Sequence, residues 1–83
     1  MRILILEDDG MRVNNFIELL FRHDLDITES AHEAVALLEE KVYDLLLLDH
    51  DLGEGDGSGS VVSCFLCAYP ENPNNDAEIL IHS

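Results

Sequence analysis

Asp44-Leu45-Leu46-Leu47-Leu48-Asp49-His50-Asp51-Leu52-Gly53 is the stretch on which the fold turns. Its four consecutive leucines show no alternation of polar and apolar residues. They read as a short strand buried on both faces, the pattern of a central strand in a parallel sheet. The run breaks at once into Asp49, His50 and Asp51, then into a glycine-rich stretch. Open α/β sheets bind ligands beyond the carboxyl ends of their strands. Acids and a histidine delivered to that edge mark a candidate site.

Upstream, Arg2 to Leu6 is a second apolar, partly β-branched run, and it ends in Glu7-Asp8-Asp9. Gly10 permits a turn out of this strand. Between Met11 and His23, the residues Val13, Phe16, Ile17 and Leu20 fall on one helical face, broadened by Leu19 and Phe21. Leu25 to Thr28 reads as a short edge strand, punctuated by Asp24 and Asp26. Ser30 with Glu33 forms a capping box that opens a helix. Ala31, Ala34, Val35 and Leu38 are its buried face, with Glu39, Glu40 and Lys41 outside. Downstream, Glu54 to Ser60 is a loop of glycine, serine and acid residues. Val62, Phe65, Leu66 and Tyr69 predict a third helix from about Ser60 to Tyr69. Pro70 to Asp76 is a turn, and Ala77 to His82 is a last strand. The order β-α-β-α-β-α-β implies a parallel sheet with right-handed crossovers.

The chain has 83 residues, which makes one small domain, and 47% apolar content, which suits a packed fold. Its net charge of −14 and only four Lys+Arg argue against binding duplex DNA or nucleic acid non-specifically. That balance suits a protein that holds a cation or meets a basic partner. For most of the eighteen acids the better reading is a solvated surface. Cys64 and Cys67 have the spacing of a redox pair or half a zinc site, but nothing completes a metal set. They read as small apolar residues in a helix. With no signal peptide or membrane-length apolar run, a soluble cytoplasmic protein without membrane contact is expected.

Parallel strands bring their carboxyl ends to one edge. Glu7 and Asp8, with Asp9 at the margin, therefore meet Asp49, His50 and Asp51 there. Clustered carboxylates repel unless neutralised, and a hard divalent cation such as Mg²⁺ does so through oxygen ligands. A single acid in such a place is more simply a helix cap. Two strand ends that each carry several acids favour the metal. His50 suits proton transfer near neutral pH, though a loop histidine bonded to neighbouring carboxylates is as good a reading. His82 pairs with it as a candidate acid or base, but if Ser83 points into the site strand alternation turns His82 away. His23 and His32 read as helix-surface residues.

Leu4-Ile5-Leu6-Glu7-Asp8-Asp9, the Ala31-x-Glu33-Ala34 helix start and Tyr43-Asp44-Leu45-Leu46-Leu47-Leu48-Asp49 resemble response-regulator receiver domains over the whole chain. The resemblance implies a flavodoxin-like α/β fold with sheet order 2-1-3-4. It implies that Glu7, Asp8 and Asp49 hold Mg²⁺, with the backbone carbonyl of Asp51 as a further ligand and Asp49 as a phosphoacceptor. Asp49-His50-Asp51-Leu52-Gly53 together with the His82-Ser83 ending is similar to a narrower group, the cyclic-phosphate processing receiver domains. That likeness implies action on cyclic phosphates of nucleotides or RNA ends, with Asp49, His50 and His82 catalytic and Ser83 on the phosphate.

A receiver also has a fifth strand bearing a lysine, which residues 1–83 do not supply. The expectation is a single, incomplete domain that forms a homodimer through its exposed strand-four edge. Two other readings stand beside the enzyme. One is a signalling module phosphorylated on Asp49 and read by a partner protein. The other is an inactive truncated domain acting only through protein contacts.

Overall fold

The computed structural model describes residues 1–49 and 59–82. Four parallel strands, β1 (Arg2–Leu6), β2 (Asp24–Thr28), β3 (Leu45–Asp49) and β4 (Glu78–His82), form one sheet in the order β2-β1-β3-β4. Helices α1 (Gly10–Leu20), α2 (Ala31–Glu40) and α3 (Gly59–Ala68) join them, and a short 3-10 turn, Pro73–Asp76, leads into β4. The expected parallel α/β layer and strand order are both present.

The leucine run behaves as a central strand should. Leu46 and Leu48, with Leu4 and Leu6 of β1, pack under Ala31, Ala34 and Leu38 of α2 and Val62 and Leu66 of α3. On the opposite face Leu47, Ile3 and Ile5 meet Phe16 and Leu20 of α1. Burying side chains of this size stabilises a fold by roughly 1.5–3 kcal/mol each. The core therefore lies on both faces of β1 and β3, the two strands that carry the candidate acids.

Helix α1 stops at Leu20, short of the His23 end predicted by periodicity. The sheet imposes this boundary. Arg2 pairs with Asp24, and the Asp24 N–H donates to the Met1 carbonyl at 3.0 Å, so the chain must re-enter the sheet there. Leu19 and Phe21 are exposed instead of widening the buried face, and the Arg22 guanidinium lies over the Phe21 ring. His23 is consequently a turn residue, while His32 is an exposed helix residue as expected.

Other local expectations shift for similar reasons. Ser30 caps α2 by accepting the Glu33 N–H at 3.4 Å, but its own N–H donates to Thr28 Oγ1. The capping box is half formed because β2 supplies the second partner. Val35 is half-buried. Lys41 is not purely external, since it pairs with Asp26 at 3.2 Å. Cys64 and Cys67 are free and exposed, so they are not core residues. Tyr69 is exposed too, its ring 5.0 Å from that of half-buried Phe65.

Candidate metal and phosphate site

The two central strands end side by side at the carboxyl edge. β1 and β3 are in register from Ile3↔Leu45 to Leu6↔Leu48, which brings Glu7 level with Asp49. The Glu7 N–H continues the ladder to the Thr28 carbonyl at 3.0 Å. Glu7 is fully buried and Asp49 is 2% exposed, while Asp8 faces solvent. Glu7, Asp8 and Asp49 each offer a carboxylate oxygen, and these oxygens lie within 4.8 Å of one another.

Local hydrogen bonds hold Glu7 in place. Its Oε2 accepts the N–H groups of Asp8 at 3.0 Å and Asp9 at 3.2 Å. Its Oε1 accepts from Arg12 Nη1 at 3.3 Å. Burial pushes the Glu7 carboxyl above its ordinary range, and a hydrogen bond with Asp49 raises it further. The bonds from Asp9 and the charge of Arg12 only partly oppose this. Without a cation, the two neighbouring carboxyl groups therefore disfavour each other's ionisation. A divalent ion relieves the same repulsion. An all-oxygen donor set fits Mg²⁺, which takes one or two carboxylates and keeps positions for water or phosphate.

Asp9 is not part of this cluster. It is the N-cap of α1, with Oδ1 accepting the N–H groups of Met11 at 2.9 Å and Arg12 at 3.3 Å. The three-acid run thus divides into two candidate ligands and one cap. His50, Asp51 and Ser83 lie outside the described residues, as does most of the Glu54 to Ser60 loop. For His82 the backbone is described, and it stands level with Asp49 across β3 and β4. Arg12 is the residue that sequence reasoning passed over. Its signal was available: it is the sole Lys or Arg between Arg2 and Arg22, and it lies five positions from Glu7.

Beside the cluster, a cleft of about 570 Å³ opens between α1 and the β2–α2 turn. Glu7 forms part of its wall, with Val13, Asn14, Thr28 and Glu33. No helix among the described residues is long and apolar enough to cross a membrane.

A parallel sheet with buried acids where β1 and β3 end defines a receiver-type domain. The family model of the Cyclic-phosphate processing Receiver domain matches residues 2–83, and the chain belongs to that family. Among solved structures it is similar to a CheY-like response regulator receiver domain protein from Methanospirillum hungatei JF-1. The TM-score is 0.73 at 22% identity, over 96% of this chain and 61% of that one. It is also similar to the MaeR response regulator bound to beryllium trifluoride. There the TM-score is 0.66 at 27% identity, over 99% of this chain and 66% of that one. The chain thus spans less than two thirds of the length of each. No curated protein matched it.

Proposed function

We propose that this domain binds Mg²⁺ through Glu7, Asp8 and Asp49 and acts there on a phosphate-containing ligand, a cyclic phosphate of a nucleotide or of an RNA end. The supporting observation is the convergence of three carboxylate oxygens within 4.8 Å, two of them from buried residues on separate strands. Membership of the cyclic-phosphate processing receiver family supports the ligand class. The adjoining cleft, about 570 Å³, has the size for the nucleoside part of such a ligand.

In this reading Glu7, Asp8, Asp49 and the backbone carbonyl of Asp51 would hold the ion, which would supply polarisation of a phosphoryl oxygen. His50 takes the proton of the attacking water as the new phosphorus–oxygen bond forms. His50 then returns that proton to the ribose oxygen as the ring phosphorus–oxygen bond breaks. Ser83 donates to a phosphoryl oxygen. The test is hydrolysis of a 2′,3′-cyclic nucleotide by the protein with Mg²⁺. Turnover that His50→Ala abolishes is expected. No turnover, alongside a melting temperature indifferent to millimolar Mg²⁺, would overturn the reading.

A second reading makes Asp49 a phosphoacceptor in signalling. Its support is the position of Asp49 at the end of β3 and the likeness to a regulator bound to beryllium trifluoride, a tetrahedral phosphoryl mimic. A small phosphodonor with Mg²⁺ then adds one phosphoryl mass, and Asp49→Asn prevents it.

Self-association belongs to the same proposal. β4 is an edge of the described sheet, and Ile79 and Leu80 are 38% and 49% exposed. An open edge with apolar side chains favours pairing with a second copy. Sedimentation velocity is expected to show a dimer, which Leu80→Lys weakens. A clean monomer at high concentration would count against it. A cytoplasmic location completes the reading, in keeping with free, exposed cysteines.

A further inference from the structure

We infer that Arg12 receives the phosphoryl group at this site, turning from Glu7 to the anion once Mg²⁺ is bound. The inference rests on the metal reading above and adds a residue to it. It begins with the placement of cations. The chain has four Lys and Arg residues, and all four lie in the described structure. Arg2 opens β1, where its N–H donates to Asp44 just before β3. Arg22 follows α1 and stacks on Phe21 just before β2. Lys41 follows α2 and bonds Asp26. These three belong to the amino-terminal side of the sheet. A five-residue strand, roughly 16 Å long, separates them from the acid cluster. Arg12 alone stands at the carboxyl edge.

Its contacts leave it available. The guanidinium reaches Glu7 Oε1 through Nη1 at 3.3 Å, and the side chain is 44% exposed. Arginine presents five N–H donors in a planar fork, and Glu7 engages one of them here. The remaining donors have no partner among the described residues and stand beside the carboxylate cluster.

Charge decides what those donors do. Three carboxylates around a divalent ion leave a net negative charge before any phosphate arrives, on a chain whose own net charge is −14. A phosphoryl group bearing further negative charge needs a second cation within reach. Arginine is suited to that partner because its fork matches two phosphoryl oxygens. The two cations also contend for one atom. Glu7 Oε2 is occupied by the N–H groups of Asp8 and Asp9, so Oε1 is the oxygen best placed for the ion. Arg12 occupies that oxygen now. An ion held through Oε1 would displace the guanidinium from Glu7 and free its fork for a phosphoryl group.

The arrangement predicts opposite changes in two affinities, measured by calorimetry on the whole chain with Mg²⁺ and then inorganic phosphate. Arg12→Gln should bind Mg²⁺ as tightly as the parent or up to several-fold tighter, because a competing cation is gone. Its phosphate affinity in saturating Mg²⁺ should fall about tenfold or more. Arg12→Lys should recover part of the phosphate binding. If Arg12→Gln binds Mg²⁺ normally and phosphate as the parent does, the assignment of Arg12 fails while the metal site stands. If the parent binds no Mg²⁺, both fail together. A merely structural ion pair would weaken Mg²⁺ binding and lower the melting temperature in parallel, and that pattern would also overturn the assignment.

Discussion

The side-chain Oδ1 of Asn74 accepts the backbone N–H of Tyr43 at 2.6 Å, joining residues 31 positions apart. The Asn74 amide nitrogen donates to the carbonyls of Leu38 at 3.1 Å and Lys41 at 2.8 Å. One fully buried side chain thus ties the end of α2 and the entry to β3 to the turn before β4. The bonds to Tyr43 and Leu38 are buried and the one to Lys41 is partly buried, so they satisfy backbone groups shielded from bulk water. Asn74→Ala strands the Tyr43 N–H and the Lys41 carbonyl, while the Leu38 carbonyl keeps its bond from Asn72 Nδ2 at 3.2 Å, and it is expected to cost about 3 kcal/mol in denaturant unfolding. The melting temperature of a domain this size should fall by at least about 10 °C.

Tyr43 has a second anchor. Its Oη donates to Asp26 Oδ2 at 2.6 Å, and Lys41 bonds the same oxygen. The Tyr43 bond is the main reason the Asp26 carboxyl lies below its ordinary 3.8, with burial opposing and Lys41 assisting. A lowered carboxyl contributes stability that is present above the ordinary value and lost as pH falls through the lowered one. Tyr43→Phe is therefore expected to cost about 1–2 kcal/mol at pH 7. Urea unfolding of the two proteins should show the gap narrowing as pH drops below 3.8.

Asp49 and Glu7 keep two buried acids together, which opposes folding while no cation is present. Asp49→Asn should raise the metal-free melting temperature by several degrees, about 1 kcal/mol of stability. The same variant should lose at least about tenfold in Mg²⁺ affinity. Thermal scans with and without Mg²⁺ read both effects, which run in opposite directions.

Asp9 offers the contrasting experiment. As the N-cap of α1 it serves the helix and stands outside the carboxylate cluster. Asp9→Ala should cost about 1 kcal/mol of stability and leave Mg²⁺ affinity within about twofold. A large loss of Mg²⁺ binding would instead make Asp9 a ligand.

Several features are legible in residue order. The unbroken leucines of Leu45 to Leu48 announced a strand covered on both faces, and both faces are covered. Topology alone puts the Glu7 and Asp49 strand ends on one edge, and their carboxylate oxygens lie close together there. The end of α1 is not legible in the sequence, because its apolar spacing runs on past the point where Asp24 must pair with Arg2. Val62 and Leu66 of the third helix pack in the core, yet Tyr69 on the same spacing is exposed because α3 ends at Ala68. Asn74 gave no sign of its role, since an Asn in a Pro-Asn-Asn-Asp turn looks like any surface turn residue.

Residue order alone was enough to establish a parallel α/β sheet with acids at its carboxyl edge. Strand burial and helix faces are written in the local spacing of apolar side chains, which needs no knowledge of distant partners. Folding in three dimensions was needed to separate Glu7 and Asp8 from Asp9, and to bring Arg12 to Glu7 and Asn74 to Tyr43. Those pairings depend on the angle at which the chain leaves β1 and on where helices dock. Such geometry comes from the whole packed sheet, so no short stretch of residues encodes it.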